Sequence, residues 1–142
     1  MISLNIPTFQ VNSITEMSDF YLFEGKVSFE NGSPCPVCQV LSFKMHSYYE
    51  RMIQDLPING KRVELKVKTR KLQCQNEECT TKYFVQPLDF VRPSSLKTQR
   101  LEDIIIEISI PTSLIQATFI LNRLGIKMSK SALSELLKQC PF

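Results

Sequence analysis

Four cysteines are the residues of this sequence best suited to do chemistry. They form two pairs in short, polar, turn-prone segments, Cys35-Pro36-Val37-Cys38 and Cys74-Gln75-Asn76-Glu77-Glu78-Cys79. Pairs with two to four intervening residues are typical of structural zinc sites, in which four thiolates surround the ion tetrahedrally. Such an ion contributes roughly 10–16 kcal/mol of apparent binding free energy at neutral pH. The sequence therefore predicts one Zn²⁺ bound by Cys35, Cys38, Cys74 and Cys79.

Other uses of these cysteines are open at this point. Cys35 and Cys38 could form a redox pair of the thioredoxin type, which would leave the second pair without a role. All four thiols could hold iron, as in a rubredoxin-like electron carrier. A disulfide is less favoured because the sequence shows no secretory signal and no membrane span. We therefore expect a cytoplasmic protein, in which thiols stay reduced.

The segment between the two pairs predicts a long β-hairpin. Asn59-Gly60 supplies the positive φ angles that a tight two-residue turn needs. After it, Val63, Leu65 and Val67 alternate with charged residues, which is the pattern of a strand with one apolar face. A hairpin inserted between the pairs explains why they lie farther apart than the roughly 15–20 residues of the commonest four-cysteine patterns.

Shorter strands are expected on either side of this hairpin. The aromatic and β-branched runs 20–23 and 27–29 predict two strands, with a turn at Glu24-Gly25-Lys26 between them. Tyr83-Phe84-Val85 predicts a short closing strand.

The last third of the chain has helical spacing instead. Leu101, Ile104, Ile105 and Ile108 predict one helix, which Pro111 ends. A second helix is expected after Thr112 or Ser113, with Ala117, Leu121 and Leu124 on one side and Gly125 at its end; a third follows Ser129, with Leu133, Leu136, Leu137 and Cys140 on one face. The second and third helices resemble a helix-turn-helix.

The 142 residues are 43% hydrophobic and 22% charged, as in ordinary globular proteins. We predict an α+β fold with two modules. Residues 1–90 form N-terminal strands and a β-rich zinc-ribbon module, and residues 91–142 form a small three-helix, helix-turn-helix module.

The net charge of +3 is unevenly distributed. A basic stretch in the hairpin and the polar side of the third helix are the candidate DNA-binding residues, because cations neutralise phosphates and the second helix of a helix-turn-helix meets base edges. The alternative for the basic stretch is a solvated strand face. The candidates are Lys61, Arg62, Lys66, Lys68, Arg70, Lys71, Lys130, Ser131, Ser134 and Lys138.

No catalytic site is predicted. The aspartates are scattered over separate elements, and the sequence has no phosphate-binding glycine loop. His46 is the single histidine and is expected to be a hydrogen-bonding strand residue, since four thiolates already complete a zinc shell. We therefore expect a protein that is not an enzyme.

The motifs together resemble the front end of the ISL-three family of bacterial insertion-sequence transposases. The resemblance rests on Cys-Pro-Val-Cys at 35–38, His-Ser-Tyr-Tyr-Glu-Arg at 46–51, Asp-Leu-Pro-Ile-Asn-Gly at 55–60, the run 70–79 and Phe84. It implies zinc ligation by the four cysteines, followed by a helix-turn-helix, and recognition of the element's terminal inverted repeats. The family's acidic catalytic domain would begin where this sequence stops, so no nuclease or strand-transfer activity is carried over.

We therefore expect sequence-specific binding to double-stranded DNA at the ends of an element, with Zn²⁺ as the cofactor. A protein of this kind could repress transposition by occupying the ends without cutting. The alternative class is a zinc-ribbon protein-interaction module, in which the apolar helix 101–110 could pair with a second copy as a homodimer. An inert relic of a decayed element is a third interpretation.

Overall fold

A computed structural model describes residues 4–29 and 32–139 of the chain. Cys140, expected in the core of the third helix, lies outside the described residues. The described residues form an α+β fold whose strands and helices follow in the order β1 Phe9–Glu16, β2 Phe20–Val27, β3 Ser33–Pro34, β4 Leu41–Ser42, β5 Met45–Ile58, β6 Lys61–Gln73, β7 Tyr83–Val85, α1 Gln99–Ser109, α2 Leu114–Leu124 and α3 Lys130–Lys138.

The predicted hairpin is confirmed and is the longest feature of the sheet. β5 and β6 pair antiparallel over almost their whole length, and Asn59 and Gly60 turn the chain with φ angles of 54° and 74°. The predicted apolar face is also confirmed, because Val63, Leu65 and Val67 are fully buried. We call the end of the hairpin next to the cysteines, 45–47 with 71–73, the ribbon end, and the end at 58–61 the turn end.

The N-terminal strands differ from the prediction. The predicted turn at Glu24-Gly25-Lys26 is wrong, because these residues lie inside one continuous strand, β2. Gly25 serves there as a site of close approach: a Cβ at this position would lie 2.1 Å from the carbonyl oxygen of Gln10 on β1. The strand β1 itself was not predicted.

β6 lies at the centre of the sheet. Its first part pairs in parallel with β2, its last three residues pair antiparallel with β7, and β5 covers the other edge. The strand order is β1-β2-β6-β5, with β7 beside β6. Phe23, Ile53 and Leu65 are fully buried on one face of the sheet and belong to its main apolar core.

Local sequence signals set the three helices. Thr98, Ser113 and Ser129 each accept a hydrogen bond from the backbone three residues on, which is the usual role of an N-cap. Gly125 ends α2 with φ 96°, as glycine permits. The apolar faces meet in a second core, although Leu124 is exposed rather than packed inside it. The α2–turn–α3 arrangement is compatible with a helix-turn-helix.

The helices pack against the turn end of the hairpin. A Cβ on Gly125 would lie 2.8 Å from the carbonyl oxygen of Gly60, so the turn after α2 sits directly on the hairpin turn. The Asp55 carboxylate, fully buried on β5, accepts hydrogen bonds from Thr98 and Arg100 at the start of α1. The division into two modules at residue 90 stays a prediction. In the described residues, no helix has the length and apolar character needed to cross a membrane.

Candidate metal centre and nucleic-acid interface

The first cysteine pair lies in a small hairpin of its own. β3 and β4 pair antiparallel on either side of it. The backbone N–H of Cys35 donates to the carbonyl of Val40 at 3.0 Å, and that of Gln39 donates back to the carbonyl of Cys35 at 2.9 Å. Gln39 has a φ of 65°, which closes the turn. This loop directs the Cys35 and Cys38 side chains to the same side.

The second pair connects β6 to β7. The backbone N–H of Cys74 donates to the carbonyl of Lys82 at 2.8 Å, and that of Cys79 donates to the carbonyl of Asn76 at 3.1 Å. The Asn76 side chain also accepts from the N–H of Glu78, an arrangement typical of asparagine turns. The two loops are joined by the Gln75 side chain, which accepts from the N–H of Phe43 at 2.9 Å.

The four thiols converge as zinc binding requires. All four sulfur atoms lie within 4.8 Å of one another. Sγ of Cys35 is 3.9 Å from Sγ of Cys79, and Sγ of Cys38 is 3.6 Å from Sγ of Cys74. A zinc–thiolate tetrahedron with bonds of about 2.3 Å has edges of about 3.8 Å, so the two sulfur–sulfur distances given above match its edges and the four residues suit a Zn²⁺ ion.

The pKa values of the thiols show why this cluster favours a bound cation. The backbone N–H of Val40 lowers the pKa of Cys38 to about 6, and contacts with Asn76 and neighbouring thiols act in the same direction. At Cys74 the backbone N–H of Asn76 favours the thiolate, but burial and the other three thiols outweigh it and raise the pKa to about 12. One ionised thiol disfavours ionisation of its neighbours, and a bound divalent ion would favour the thiolate form of all four.

Little apolar packing surrounds these thiols. Leu72 and Phe84, from β6 and β7, are the buried apolar residues next to Cys35 among those described, with Phe29 half-buried beside them. Leu72 points to the opposite face of β6 from Val67, which belongs to the main core. The cysteines therefore form a separate small cluster at the ribbon end.

The predicted DNA-binding residues of the hairpin do not form one surface. Arg62, Lys66, Lys68 and Arg70 alternate onto the outer face of β6, whereas Lys61 and Lys71 fall on the face that also carries the core. Most of the six are also engaged. Lys61 pairs with Glu16 at 2.9 Å, Arg62 pairs with Glu64 at 2.9 Å, Lys66 lies near Glu24 and Glu50, and Arg70 donates to the carbonyl of Val27.

Lys68 and Lys71 are the two of the six that have no such partner among the described residues. Lys68 lies over the ring of Tyr48, with Nζ 4.3 Å from the ring centroid, and Lys71 lies 5.6 Å from that of Tyr83. Their role in DNA binding stays a prediction. Because they lie on opposite faces of the sheet, they would not contact DNA as one surface.

The helical candidates are exposed but differ in their partners. Lys130 and Ser131 begin α3 and face solvent, and Ser134 is half-buried. Nζ of Lys138 lies 3.8 Å from Oε1 of Glu135 one turn earlier, in a solvent-exposed pair that contributes little to stability.

Sequence analysis missed four exposed cations near these elements. Arg123 and Lys127 flank the turn between α2 and α3, and Lys44 and Lys82 flank the two cysteine loops. None of them forms an ion pair with the part of the chain that the structure describes. Their position next to a cysteine loop or a helix turn was the signal that could have identified them.

Comparison with protein families finds a match over residues 32–79, to the zinc-finger of transposase IS204/IS1001/IS1096/IS1165. The matched segment contains all four cysteines and the hairpin between them. Comparisons with curated proteins and with solved structures gave no match. The family match and the clustered thiols together support Zn²⁺ as the cofactor. The match to a transposase zinc finger also indicates nucleic-acid binding by this segment. Residues 32–79 thus form a zinc ribbon that is similar to that of the ISL-three transposases.

Proposed function

We propose that this region binds double-stranded DNA sequence-specifically, at the terminal inverted repeats of an insertion element, and supplies no catalytic group of its own. The observation that carries the proposal is the four-cysteine centre within a segment that matches a transposase zinc finger. A zinc ion fixed there would hold the two loops and the long hairpin as one rigid unit.

The helix pair supports duplex binding. α3 begins at Lys130, with Ser131 exposed beside it, and the N-terminal part of such a helix is the part that reaches base edges in the major groove. Arg123 and Lys127 flank the same helix start and carry no ion pair among the described residues, so they suit contacts to the adjacent phosphates.

The buried carboxylates support a role without catalysis. Asp55 and Glu102 are almost fully buried, and each is engaged by an arginine, Arg100 and Arg92 respectively. A buried carboxylate held in this way is already paired with an arginine and is not free to bind a catalytic metal.

A gel-shift titration tests the proposal. Inverted-repeat DNA of the family type and a shuffled duplex of equal length are titrated with protein, with and without a chelator. We expect preferential binding to the repeat, its loss with the chelator, and its recovery when zinc is restored. Equal binding to the two duplexes contradicts sequence-specific recognition.

A protein-interaction module is the second candidate, and an exposed apolar surface favours it. On α2, Ile115 and Phe119 lie one turn apart and are 65% and 67% exposed. On the first cysteine loop, Val37 is 62% exposed. Large apolar side chains in water mark surfaces that bind other proteins.

The cations of the helix turn discriminate between these candidates. Replacing Arg123, Lys127 and Lys130 with alanine should weaken binding to all duplexes and make its salt dependence shallower, because each removed phosphate contact reduces the salt slope by about one. An interaction module would bind its protein partner as before. A double variant, Ile115→Ser with Phe119→Ser, serves as the matched control, with the opposite pattern expected.

A further inference from the structure

Aromatic and cationic side chains gather on one face of the sheet at its ribbon end. The rings of His46 and Tyr83 meet edge to face, with centroids 4.6 Å apart. Nζ of Lys71 lies 5.6 Å from the centroid of the Tyr83 ring. Tyr49 lies on the same face, since it pairs with Thr69, two positions before Lys71 on β6. We call His46, Tyr49, Lys71 and Tyr83 the aromatic cluster.

The rings of this cluster remain in water. Tyr49 and Tyr83 are 45% and 44% exposed, and His46 is also exposed. Farther along the same face, Tyr21 is 6% exposed and belongs to the core. The sheet therefore buries its aromatic residues in one region and leaves part of their ring surface in solvent in the other.

Free cations border these rings. Lys44, Lys71 and Lys82 form no ion pair with the described residues. Lys44, Lys82 and Tyr83 also line one cleft beside the second cysteine loop, together with the acidic Glu77. Glu77 is the one carboxylate that lines this cleft among the described residues, and Cys74 and Cys79 of the metal centre line it as well.

The outer face of the same hairpin differs in charge. There Lys68 lies over the Tyr48 ring, an arrangement similar to that of Lys71 and Tyr83. However, Glu24 and Glu50 line the same small depression as Lys66 and Lys68, and both acids lie within 4.0 Å of Nζ of Lys66. That face is largely neutralised, whereas the aromatic cluster is not.

Exposed rings interleaved with free cations match the needs of an unpaired nucleic-acid strand. Its bases stack on aromatic faces while its phosphates meet cations; a duplex, whose bases already stack on each other, gains less from such rings. We propose that the aromatic cluster, with Lys44 and Lys82, binds single-stranded DNA, with a base stacked on Tyr83 and phosphates at the lysines. This proposal rests on the proposed function, because it takes the ribbon to contact DNA.

Fluorescence anisotropy with a labelled oligothymidylate, at a fixed low salt concentration, tests the site. Tyr83→Ala should lower the affinity about tenfold, since stacking on one aromatic side chain is lost. Tyr83→Phe keeps the ring and should bind like the unaltered chain. The matched control is Tyr48→Ala, which removes a tyrosine from the opposite face of the same hairpin and should change the affinity less than twofold. Equal losses for Tyr83→Ala and Tyr48→Ala overturn the proposal.

Two further variants distinguish a loss of binding from a folding defect. His46→Ala removes the exposed ring that contacts Tyr83 and should also weaken binding, while zinc content stays at one ion per chain. Glu77→Gln removes the acid of the cleft and should strengthen binding; weaker binding would contradict the placement of the phosphates.

The same variants are titrated in parallel with the inverted-repeat duplex. If the unaltered chain binds the duplex but not the oligothymidylate, this inference fails and the proposed function stands. If it binds the oligothymidylate through Tyr83 but shows no preference for the repeat, the inference stands and the proposed function fails.

Discussion

The two ends of the β5–β6 hairpin are stabilised by different means. At the turn end and along its middle, Val63, Leu65 and Val67 pack into the main core, and Gly60 lies against the helices. At the ribbon end, Leu72 and Phe84 are the buried apolar neighbours of the cysteines within the described part of the chain. One continuous pair of strands therefore passes from a region held by apolar burial to a region that depends on a metal.

The difference shows why the metal is placed at the ribbon end. Apolar burial contributes roughly 25 cal/mol per Å², so a cluster with two large buried apolar residues contributes little against the entropy of ordering the two cysteine loops. A structural zinc ion supplies that free energy at a single point and fixes both loops together.

Removing the metal should produce the largest effect and should be confined to one end. A chelator, or the variant Cys35→Ser, removes roughly 10–16 kcal/mol of apparent binding free energy from the ribbon. We expect hydrogen exchange to accelerate in 33–42 and 74–82 while the amides of β2 and the middle of β6 stay protected. Loss of protection throughout the sheet would show that the two ends are not independent.

A core substitution should act on the other end. Leu65 is fully buried, so Leu65→Ala should lower the free energy of unfolding by about 2–5 kcal/mol. Leu41→Ala is the matched control, because Leu41 is 50% exposed and its loss should cost little. Urea denaturation measures both. If the Leu65→Ala variant retains zinc at low urea, the two ends of the hairpin are stabilised independently. Zinc lost before unfolding would contradict that conclusion.

Alanine substitutions at two glycines of the turn end distinguish the cost of backbone strain from the cost of a steric contact. Gly60 has a φ of 74° and open space around it, so Gly60→Ala should cost about 1–2 kcal/mol of strain alone. Gly125 has a φ of 96° and lies against the Gly60 carbonyl, so Gly125→Ala should cost more, through strain plus overpacking of about 1–3 kcal/mol. Thermal unfolding compares them. Equal losses would mean that the helix turn does not press on the hairpin.

The smallest expected effect lies at the exposed edge near the turn. The hydrogen bond from Lys61 lowers the pKa of Glu16 below its ordinary value of 4.5, and Glu16 raises the pKa of Lys61 above 10.5. The stabilisation is therefore present between these values and is lost as the pH falls below 4.5. Lys61→Met should reduce stability slightly at pH 7 and not at pH 3. A difference that persists at pH 3 would point to lost packing on Tyr21 instead.

The sequence predicted those features of the fold that depend on residues close together in the chain. The Asn59-Gly60 turn, the alternation of Val63, Leu65 and Val67, and the capping serines all act within a few positions of the chain, so the sequence displays them directly. The cysteine motifs predicted the metal centre for the same reason, because each loop is a short segment.

Long-range pairing accounts for what was missed. The sequence does not show that β2 pairs with β1 on one side and with β6 on the other, so Gly25 looked like a turn residue rather than a point of contact with β1. Ion pairs depend on that register as well, since Lys66 meets Glu24 across strands. The alternation of β6 divides the basic stretch between two faces, and the acids brought close by the neighbouring strands neutralise much of it.

The parallel pairing of β2 with β6 also has a consequence for how the chain is made. β2 is synthesised early, yet its neighbour across the sheet is complete only after the first cysteine loop and both arms of the long hairpin have emerged. Until then β2 has only β1 beside it, and Phe23 lacks Leu65, its buried neighbour on β6. The nascent N-terminal segment is thus a natural target for chaperones, and translation pauses before residue 73 should favour aggregation.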